Sequence, residues 1–340
     1  MTVPAPLSLV KTLRYGGEAA CFFLLMAFFR LIGIDAASAV GGFIGRHLYY
    51  RLPTADTARA NLKAAYPEKS PEEIEAIVRG VCENLGRVAG EYPHLDKLDI
   101  GPGGRIATAG IERADVLTKS GKGVMFISGH FANWESMPIL AAQRGYEGGL
   151  VYRPPNNPFV DRWISRQRAK KGPSEQISKG AQGTRRIFTL LRRGKSIFML
   201  VDQKTYEGVP APYFGREAMT TPAPASLALK LGAILLPASA ERLGGARFRV
   251  TIHPPIEFTP SGDGDRDVLE LTAKINAKIE EMVRQNPSQW LWTHRRWTSA
   301  RDIERMKALQ GAGGSGGAGG SGGAGGGAGV RAAREGSSLS

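Results

Sequence analysis

The chain is short of cysteine: only Cys21 and Cys82 occur in 340 residues. Neither has a second Cys or a His close by at ligand spacing, which excludes a disulfide framework and a Cys/His metal centre and leaves reduced thiols as the plain reading. Acidic residues are outnumbered, 31 against 45 Lys and Arg, giving a formal net charge of +14. Such a surplus attracts anions in general, whether nucleic acid, anionic lipid headgroups or an acidic carrier protein, and by itself does not choose among them. No recognised nucleic-acid motif accompanies it. Long hydrophobic runs are also missing. Residues 19–29 form an eleven-residue apolar stretch bounded by Glu18 and Arg30, whereas a spanning helix needs about 20 predominantly apolar residues. That stretch would have to tilt, or snorkel Arg30, to cross a bilayer. It could equally lie in the interface, be a buried helix, or act as a signal peptide, with Lys11 and Arg14 before it and Ala37-Ser38-Ala39 after it.

What is present is a 42% apolar composition, enough for a sizeable core in one large domain or two. Residues 311–329 contain only Gly, Ala and Ser. They cannot bury enough apolar surface to offset their chain entropy, so 306–340 reads as a disordered tail. Upstream, 54–66 has helical periodicity ended by Pro67. Ser70-Pro71-Glu72-Glu73 is a capping-box start for a helix to about Gly90. Strands are expected near 124, 150, 197, 234 and 249, separated in part by helical patterns at 161–171, 183–193 and 268–284. That alternation predicts an α/β sheet with helices on both sides.

The chain is organised around residues 123–135. A short buried strand ends abruptly in Gly129 and His130, with Glu135 five residues on. Residues five apart on a helix point about 140° away from each other, so His130 and Glu135 cannot share one helix face. The spacing predicts His130 at the carboxyl end of the strand, a helix opening near Phe131, and Glu135 one turn in with its carboxylate reaching back to a ring nitrogen. The other nitrogen would then be free as a general base. The same two residues fit a satisfied core pair under a strand-to-helix turn. His94-Leu95-Asp96-Lys97-Leu98-Asp99 repeats the spacing in a polar stretch with no apolar run before it, and reads as an accident of composition.

Ser128-Gly129-His130-Phe131-Ala132-Asn133-Trp134-Glu135 resembles the signature of the late acyltransferases of lipid A biosynthesis, a branch of the lysophospholipid acyltransferase superfamily with an H-x4-[DE] dyad. Tyr152-Arg153-Pro154-Pro155-Asn156-Asn157-Pro158 resembles that family's Y-R-P-x-x-N-P block and Val201-Asp202-Gln203 its acidic strand end. Residues 287–297, from Pro287-Ser288-Gln289-Trp290 to Trp297, resemble its closing P-x-Q-[YW]-x-W-x-H-R-R block. The four blocks fall in family order and cover roughly residues 8 to 300. The resemblance implies a glycerolipid-acyltransferase-like central sheet flanked by helices, with residues 1–50 an uncleaved N-terminal membrane anchor and 51–305 the acyltransferase domain. It implies His130 and Glu135 as catalytic residues. Arg153, Arg168 (or Arg166, if the Arg-rich helix shifts the register) and Asp202 would contact substrate, Asp202 as a strand-end carboxylate beside His130 and third member of the site, a position that also suits a turn residue or helix cap; backbone N–H groups at the start of the helix after His130 would help bind the oxyanion.

The implied reaction moves a fatty acyl chain from a thioester, on acyl carrier protein or as acyl-CoA, to a hydroxyl of a lipid A precursor. The site would lie at the cytoplasmic face of the inner membrane, with no metal, no cofactor and no nucleic acid partner. A glycerophosphate-type acyltransferase shares the dyad, but its F-P-E-G-T-R-like block is absent; Phe198-Met199-Leu200-Val201-Asp202-Gln203 stands there. A mannoside acyltransferase using acyl-CoA is the nearer alternative. Duplex or single-strand binding and a noncatalytic lipid-binding role are readings from other classes. The closing block, with Trp290, Trp292 and Trp297 beside His294, Arg295 and Arg296, fits a membrane interface or a segment packed on the sheet.

Overall fold

A computed structural model of the chain describes residues 9–173 and 175–297. The Gly-rich tail at 306–340, the stretch 298–305 and residues 1–8 lie outside the described residues. Four helices come first: α1 (Leu9–Ile32), α2 (Ile34–His47), α3 (Pro53–Ala65) and α4 (Pro71–Glu91). The expected capping box is made in full. Ser70 Oγ accepts from the Glu73 N–H at 3.2 Å, and the Glu73 carboxylate accepts from the Ser70 N–H at 2.8 Å. Along the rest of the chain follow β1 (Ile106–Ala109), α5 (Ile111–Leu117), β2 (Val124–Ser128), α6 (Ser136–Gln143), β3 (Gly148–Tyr152) and α7 (Pro158–Ala169). After these come β4 (Glu175–Ser178), α8 (Ala181–Arg192), β5 (Ser196–Leu200), the hairpin β6 (Val209–Tyr213) and β7 (Arg216–Thr220), α9 (Ala223–Leu231), β8 (Ile234–Gly244), β9 (Arg247–Ile252) and α10 (Gly264–Gln285).

Seven strands form one sheet in the order β1-β9-β8-β2-β5-β3-β4, parallel except where β8 meets β9. The five strands expected from sequence are all there. The two that were not expected, β1 and β4, are edge strands of sequence Ile-Ala-Thr-Ala and Glu-Gln-Ile-Ser, both too short, and the second too polar, to announce themselves. At the centre, all five residues of β2 are buried, each apolar one contributing roughly 1.5–3 kcal/mol. The register pairs Ser128 of β2 with Leu200 of β5. Two residues beyond each partner stand His130 and Asp202, so the sheet delivers both to the same crevice at the carboxyl ends of its parallel strands.

Helices α2 and α4 pack backbone to backbone. Ala37, Gly41 and Gly45 recur every fourth residue on α2 and face Gly90, Gly86 and Cys82 of α4; a Cβ on Gly41 would land on the carbonyl oxygen of Gly86, and one on Gly45 on that of Cys82. Replacing Gly41 with Val is therefore expected to force the helices apart and destabilise the fold by roughly 1–3 kcal/mol, read as a lower Tm; an unchanged melting curve would show that this contact can relax freely.

Helix α1 is longer than the apolar run that marks it. It is one helix among the described residues long and apolar enough to cross a membrane, over Val10–Ile32. Yet one face is tied to the body along much of its length. Asn157 Nδ2 donates to the Tyr15 carbonyl, the Phe22 ring meets Trp163 at 5.2 Å, and Phe29 is buried. Arg30 grips Asp96 at 2.7 and 3.0 Å. The opposite side exposes Leu13, Leu24, Leu25, Phe28 and Leu31, and α2 adds Phe43 and Ile44.

Candidate active site

Between β2 and α6 the chain is a loop, where the sequence predicts a helix from about Phe131. Helix α6 starts only at Ser136, with Glu135 at its N-cap. Ala132 takes φ 45°, a left-handed conformation costly for a residue with a Cβ. Several anchors hold it there. The Ala132 N–H donates to the Gln289 carbonyl at 2.7 Å, its own carbonyl accepts from Asn84 Nδ2 at 3.0 Å, and Phe131 bridges to Trp290. Asn133 Nδ2 donates to the buried carboxylate of Glu91 at 2.9 Å, while its Oδ1 accepts from the Glu135 N–H. Glu91 is itself paired with Arg242 and accepts from Ser38 Oγ.

This loop changes the partner of the histidine. His130 Nδ1 meets Asp202 Oδ1 at 2.8 Å, and the His130 backbone N–H donates to Asp202 Oδ2 at 2.7 Å. The expected reach of Glu135 back to the ring is not made. Its carboxylate instead accepts from Arg168, Nε at 3.0 and 3.1 Å and Nη2 at 2.6 Å, and from the Tyr92 hydroxyl at 3.0 Å. The expectation rested on sequence proximity; the parallel register of β2 and β5 and the guanidinium arriving from α7 override it. Asp202 is thus placed as the imidazole's carboxylate rather than as a substrate contact.

Asp202 is fixed by a third donor, the Trp290 indole, at 2.8 Å. Room for it depends on Gly129, where a Cβ would sit 3.0 Å from Asp202 Oδ2 and 2.9 Å from the Phe131 ring. Burial pushes the Asp202 carboxyl up, but the charge of His130, the hydrogen bonds from its ring and backbone, and the indole outweigh burial and hold it at about 2. A carboxyl with a folded pKa below its unfolded value stabilises the fold above the unfolded value, and that contribution fades as pH falls from about 4 through the folded pKa. Trp290→Phe removes one donor from this carboxylate, at a cost of roughly 1.5–3 kcal/mol, and lets its pKa rise. Acid unfolding followed by circular dichroism is then expected to begin at higher pH; an unshifted acid midpoint would rule out the indole as a significant stabiliser of the charge.

The ring of His130 opens on a cavity of about 400 Å³. Its Nδ1 is spent on Asp202, its Nε2 makes no hydrogen bond to a described residue, and its side chain is 16% exposed. Trp134 stands against it edge to face at 5.2 Å and His294 at 6.2 Å. Two kinds of wall meet there. Arg153, Arg168 and Lys179 bring positive charge, while Met137, Leu150 and Met199 are apolar. Burial and the neighbouring Arg153 charge lower the Lys179 amine, and burial with the His130 charge lowers the His294 imidazole. Burial likewise opposes the charge on Arg168, but Glu135 more than compensates and raises it. Arg168 lines this cavity, whereas Arg166 lines a separate groove.

Of the expected site residues, His130, Glu135, Arg153 and Arg168 line the cavity and Asp202 lies behind the imidazole. Tyr92, Trp134, Lys179, Trp290 and His294 were not anticipated as part of the site. The closing block could have pointed to two of them, since it is rich in groups that buried carboxylates use; it packs into the protein, with Trp290, Trp292 and Trp297 buried beside Tyr213 and Phe214. Arg296 is buried too, donating to Thr220 Oγ1, Asn276 Oδ1 and the Met219 carbonyl, so among the described residues it is held by neutral acceptors and not by an ion pair. The second H-x4-D spacing is structural: His94 is buried with Nε2 2.8 Å from the Phe29 carbonyl, and Asp99 pairs with Lys171.

The chain is thus an α/β protein in which a histidine backed by a buried carboxylate stands at the carboxyl ends of parallel strands and faces a cavity that is partly cationic and partly apolar. Residues 7–299 match the family model for bacterial lipid A biosynthesis acyltransferase, and the chain belongs to that family; it is an acyltransferase. Similar proteins include the lipid A biosynthesis lauroyltransferase of Escherichia coli (strain K12), 27% identical over 258 residues, covering 72% of this chain and 78% of the relative. The lipid A biosynthesis palmitoleoyltransferase of the same organism is 25% identical over 256 residues, 71% of this chain and 77% of the relative. A lipid A biosynthesis acyltransferase of Haemophilus influenzae is 24% identical over 268 residues, 77% of this chain and 83% of the relative.

Proposed function

We propose that this enzyme transfers a fatty acyl chain from an acyl carrier protein thioester to a hydroxyl of a lipid A precursor, with His130 as general base. One observation carries the proposal: a ring nitrogen with no hydrogen-bond partner among the described residues is on the cavity side, while the other is held by a buried, ionised carboxylate. His130 Nε2 takes the hydroxyl proton as the alkoxide oxygen attacks the thioester carbonyl carbon. The tetrahedral intermediate then collapses, the C–S bond breaks, and the imidazolium returns the proton to the departing sulfur. Asp202 fixes the tautomer and stabilises the transient imidazolium.

The developing oxyanion needs a donor. Backbone N–H groups of residues 130, 131, 132, 135 and 136 already donate within the protein, so the expected helix-start amides are largely spent. Arg168 fits the task, because the Glu135 carboxylate, itself held by the Tyr92 hydroxyl, fixes it through Nε and Nη2 and Nη1 is left over. Arg153 and Lys179 suit phosphate on the acceptor, and the apolar wall suits the acyl chain. Helices α1 and α2 support a membrane-associated reading. A helix fastened to the body by one face, with leucines and phenylalanines outward, is suited to lying in the interface more than to crossing it, at the cytoplasmic face of the inner membrane where the carrier thioester is found.

The test is direct. Purified enzyme in mixed micelles is given precursor and either the carrier thioester or the matching acyl-CoA, and the lipid is weighed by mass spectrometry. One ester-linked chain gained from the carrier thioester supports the proposal; preference for acyl-CoA would move it to the mannoside-like alternative, and no gain from either donor would end it.

A further inference from the structure

A second groove, of about 520 Å³, runs between α1 and α7. From α1 it takes Phe23, Met26 and Ala27, spaced as one helix face; from α7 and its C-cap it takes Arg162, Arg166 and Lys170, each a turn apart. Arg168, two residues from both Arg166 and Lys170, points the other way, into the reaction cavity. Helix α7 therefore separates two sites that do not share their cations.

The groove is charged in one sense only. No carboxylate lines it among the described residues. Arg162 and Arg166 make no ion pair or hydrogen bond with a described residue, and Lys170 donates only to the neutral Gln167 Oε1, at 2.7 Å. Arg30 closes one end but is already held by Asp96. Three cations along one wall, none in an ion pair with a described residue although Lys170 also feels the charge of Asp96, and an apolar strip along the other describe a receptor for a small anionic head on an apolar stem. The apolar wall belongs to the helix whose outer side exposes Leu24, Leu25, Phe28 and Leu31, so a bilayer lipid would reach the groove without leaving its neighbours. An acidic protein surface would satisfy the cations but leave Phe23 and Met26 without a counterpart.

We propose that the α1/α7 groove binds an anionic glycerophospholipid of the surrounding membrane, its phosphate on Arg162, Arg166 and Lys170 and its chains along Phe23, Met26 and Ala27. Trp163 connects this groove with the active site: it meets Phe22 of α1 at 5.2 Å and Tyr92 at 6.0 Å, and the Tyr92 hydroxyl donates to Glu135. A lipid seated there would hold α1 against α7 on the side opposite the reaction.

The test needs no turnover, so it stands apart from the acyl-transfer proposal. The full chain, purified in neutral detergent, is offered equimolar phosphatidylglycerol and phosphatidylcholine, and retained lipid is counted by native mass spectrometry. Each cation near a lipid surface contributes about 1 kcal/mol, so the wild type is expected to prefer phosphatidylglycerol by roughly tenfold or more. R162Q/R166Q/K170Q is expected to lose the preference, and Ala27→Glu, which places a carboxylate in the apolar strip facing the three cations and competes for them, to lower it as well. R185Q/R192Q/R193Q removes the same charge from the α8 region and is expected to leave the preference intact. Retained preference in the α7 triple variant would overturn the proposal. So would displacement of phosphatidylglycerol by equimolar lipid A precursor, which would make the groove an acceptor site. A tenfold rise in KM for the carrier thioester with lipid retention unchanged would hand the groove to the carrier protein.

Discussion

Replacing His130 with alanine is expected to lower acyl transfer by roughly 10²- to 10⁴-fold, the range that positioned proton transfer contributes, while the fold survives. The ring stands at the edge of a cavity, and the hydrogen bonds that shape its loop come from backbone atoms and from Asn133, which alanine at 130 leaves in place. The loss should fall on kcat, because the ring acts on the proton as the C–O bond forms and not on substrate binding. Some destabilisation is expected as well, since Asp202 loses the partner that most lowers its pKa and keeps only the donors from the His130 backbone and Trp290. Circular dichroism at neutral pH should therefore match the wild type, with a modestly lower Tm. Full transfer by His130→Ala in the micelle assay would remove the base from the mechanism and leave the cavity as a lipid-binding site only.

The histidine was legible in the sequence because an apolar strand stopping at Gly-His is a local pattern, and local patterns need no tertiary knowledge. The capping box at Ser70 and the boundaries of α3, α7, α8 and α10 were readable to within a few residues for the same reason. What the sequence could not display is which carboxylate meets the ring. Glu135 is five residues away along the chain and Asp202 is seventy-two, yet the register of β2 against β5 sets the distant one opposite His130. A second hidden fact is the pairing of Glu135 with Arg168, which requires knowing that α7 turns that one guanidinium, among the basic residues of its helix, toward the cavity. Helical phase, read two residues at a time, does sort them: 162, 166 and 170 share a face and 168 lies opposite. The closing block was ambiguous for a different reason. Tryptophan beside arginine has the same composition at a membrane interface and in an aromatic core, and only packing against Tyr213, Phe214 and Asp202 distinguishes the two.

Asp202 and Glu135 can be separated by their expected failures. Asp202→Asn keeps the volume and lets an amide oxygen or nitrogen face Nδ1, but it withdraws the charge that stabilises the imidazolium and that fixes which ring nitrogen carries the proton. Comparable substitutions behind a catalytic histidine lower kcat by about 10⁴. The same order is expected here, with KM nearly unchanged, because Asp202 is buried behind the ring and is absent from the lining of the cavity that the ring opens on. Glu135→Gln acts on a different element. It leaves the His130–Asp202 pair intact, frees the Arg168 guanidinium from its bidentate hold, and leaves that cation paired only with neutral groups in a largely buried position. Arg168 then loses its fixed direction, so both kcat and KM should suffer, and Arg168→Lys should resemble Glu135→Gln because an ammonium cannot reproduce the fork. In the double variant the two effects should add as free energies, each element being supported by its own set of hydrogen bonds. Were Glu135→Gln instead to match Asp202→Asn in kcat at constant KM, with no further loss on combining them, the two carboxylates would belong to one relay on His130, and Arg168 would be a bystander to the chemistry.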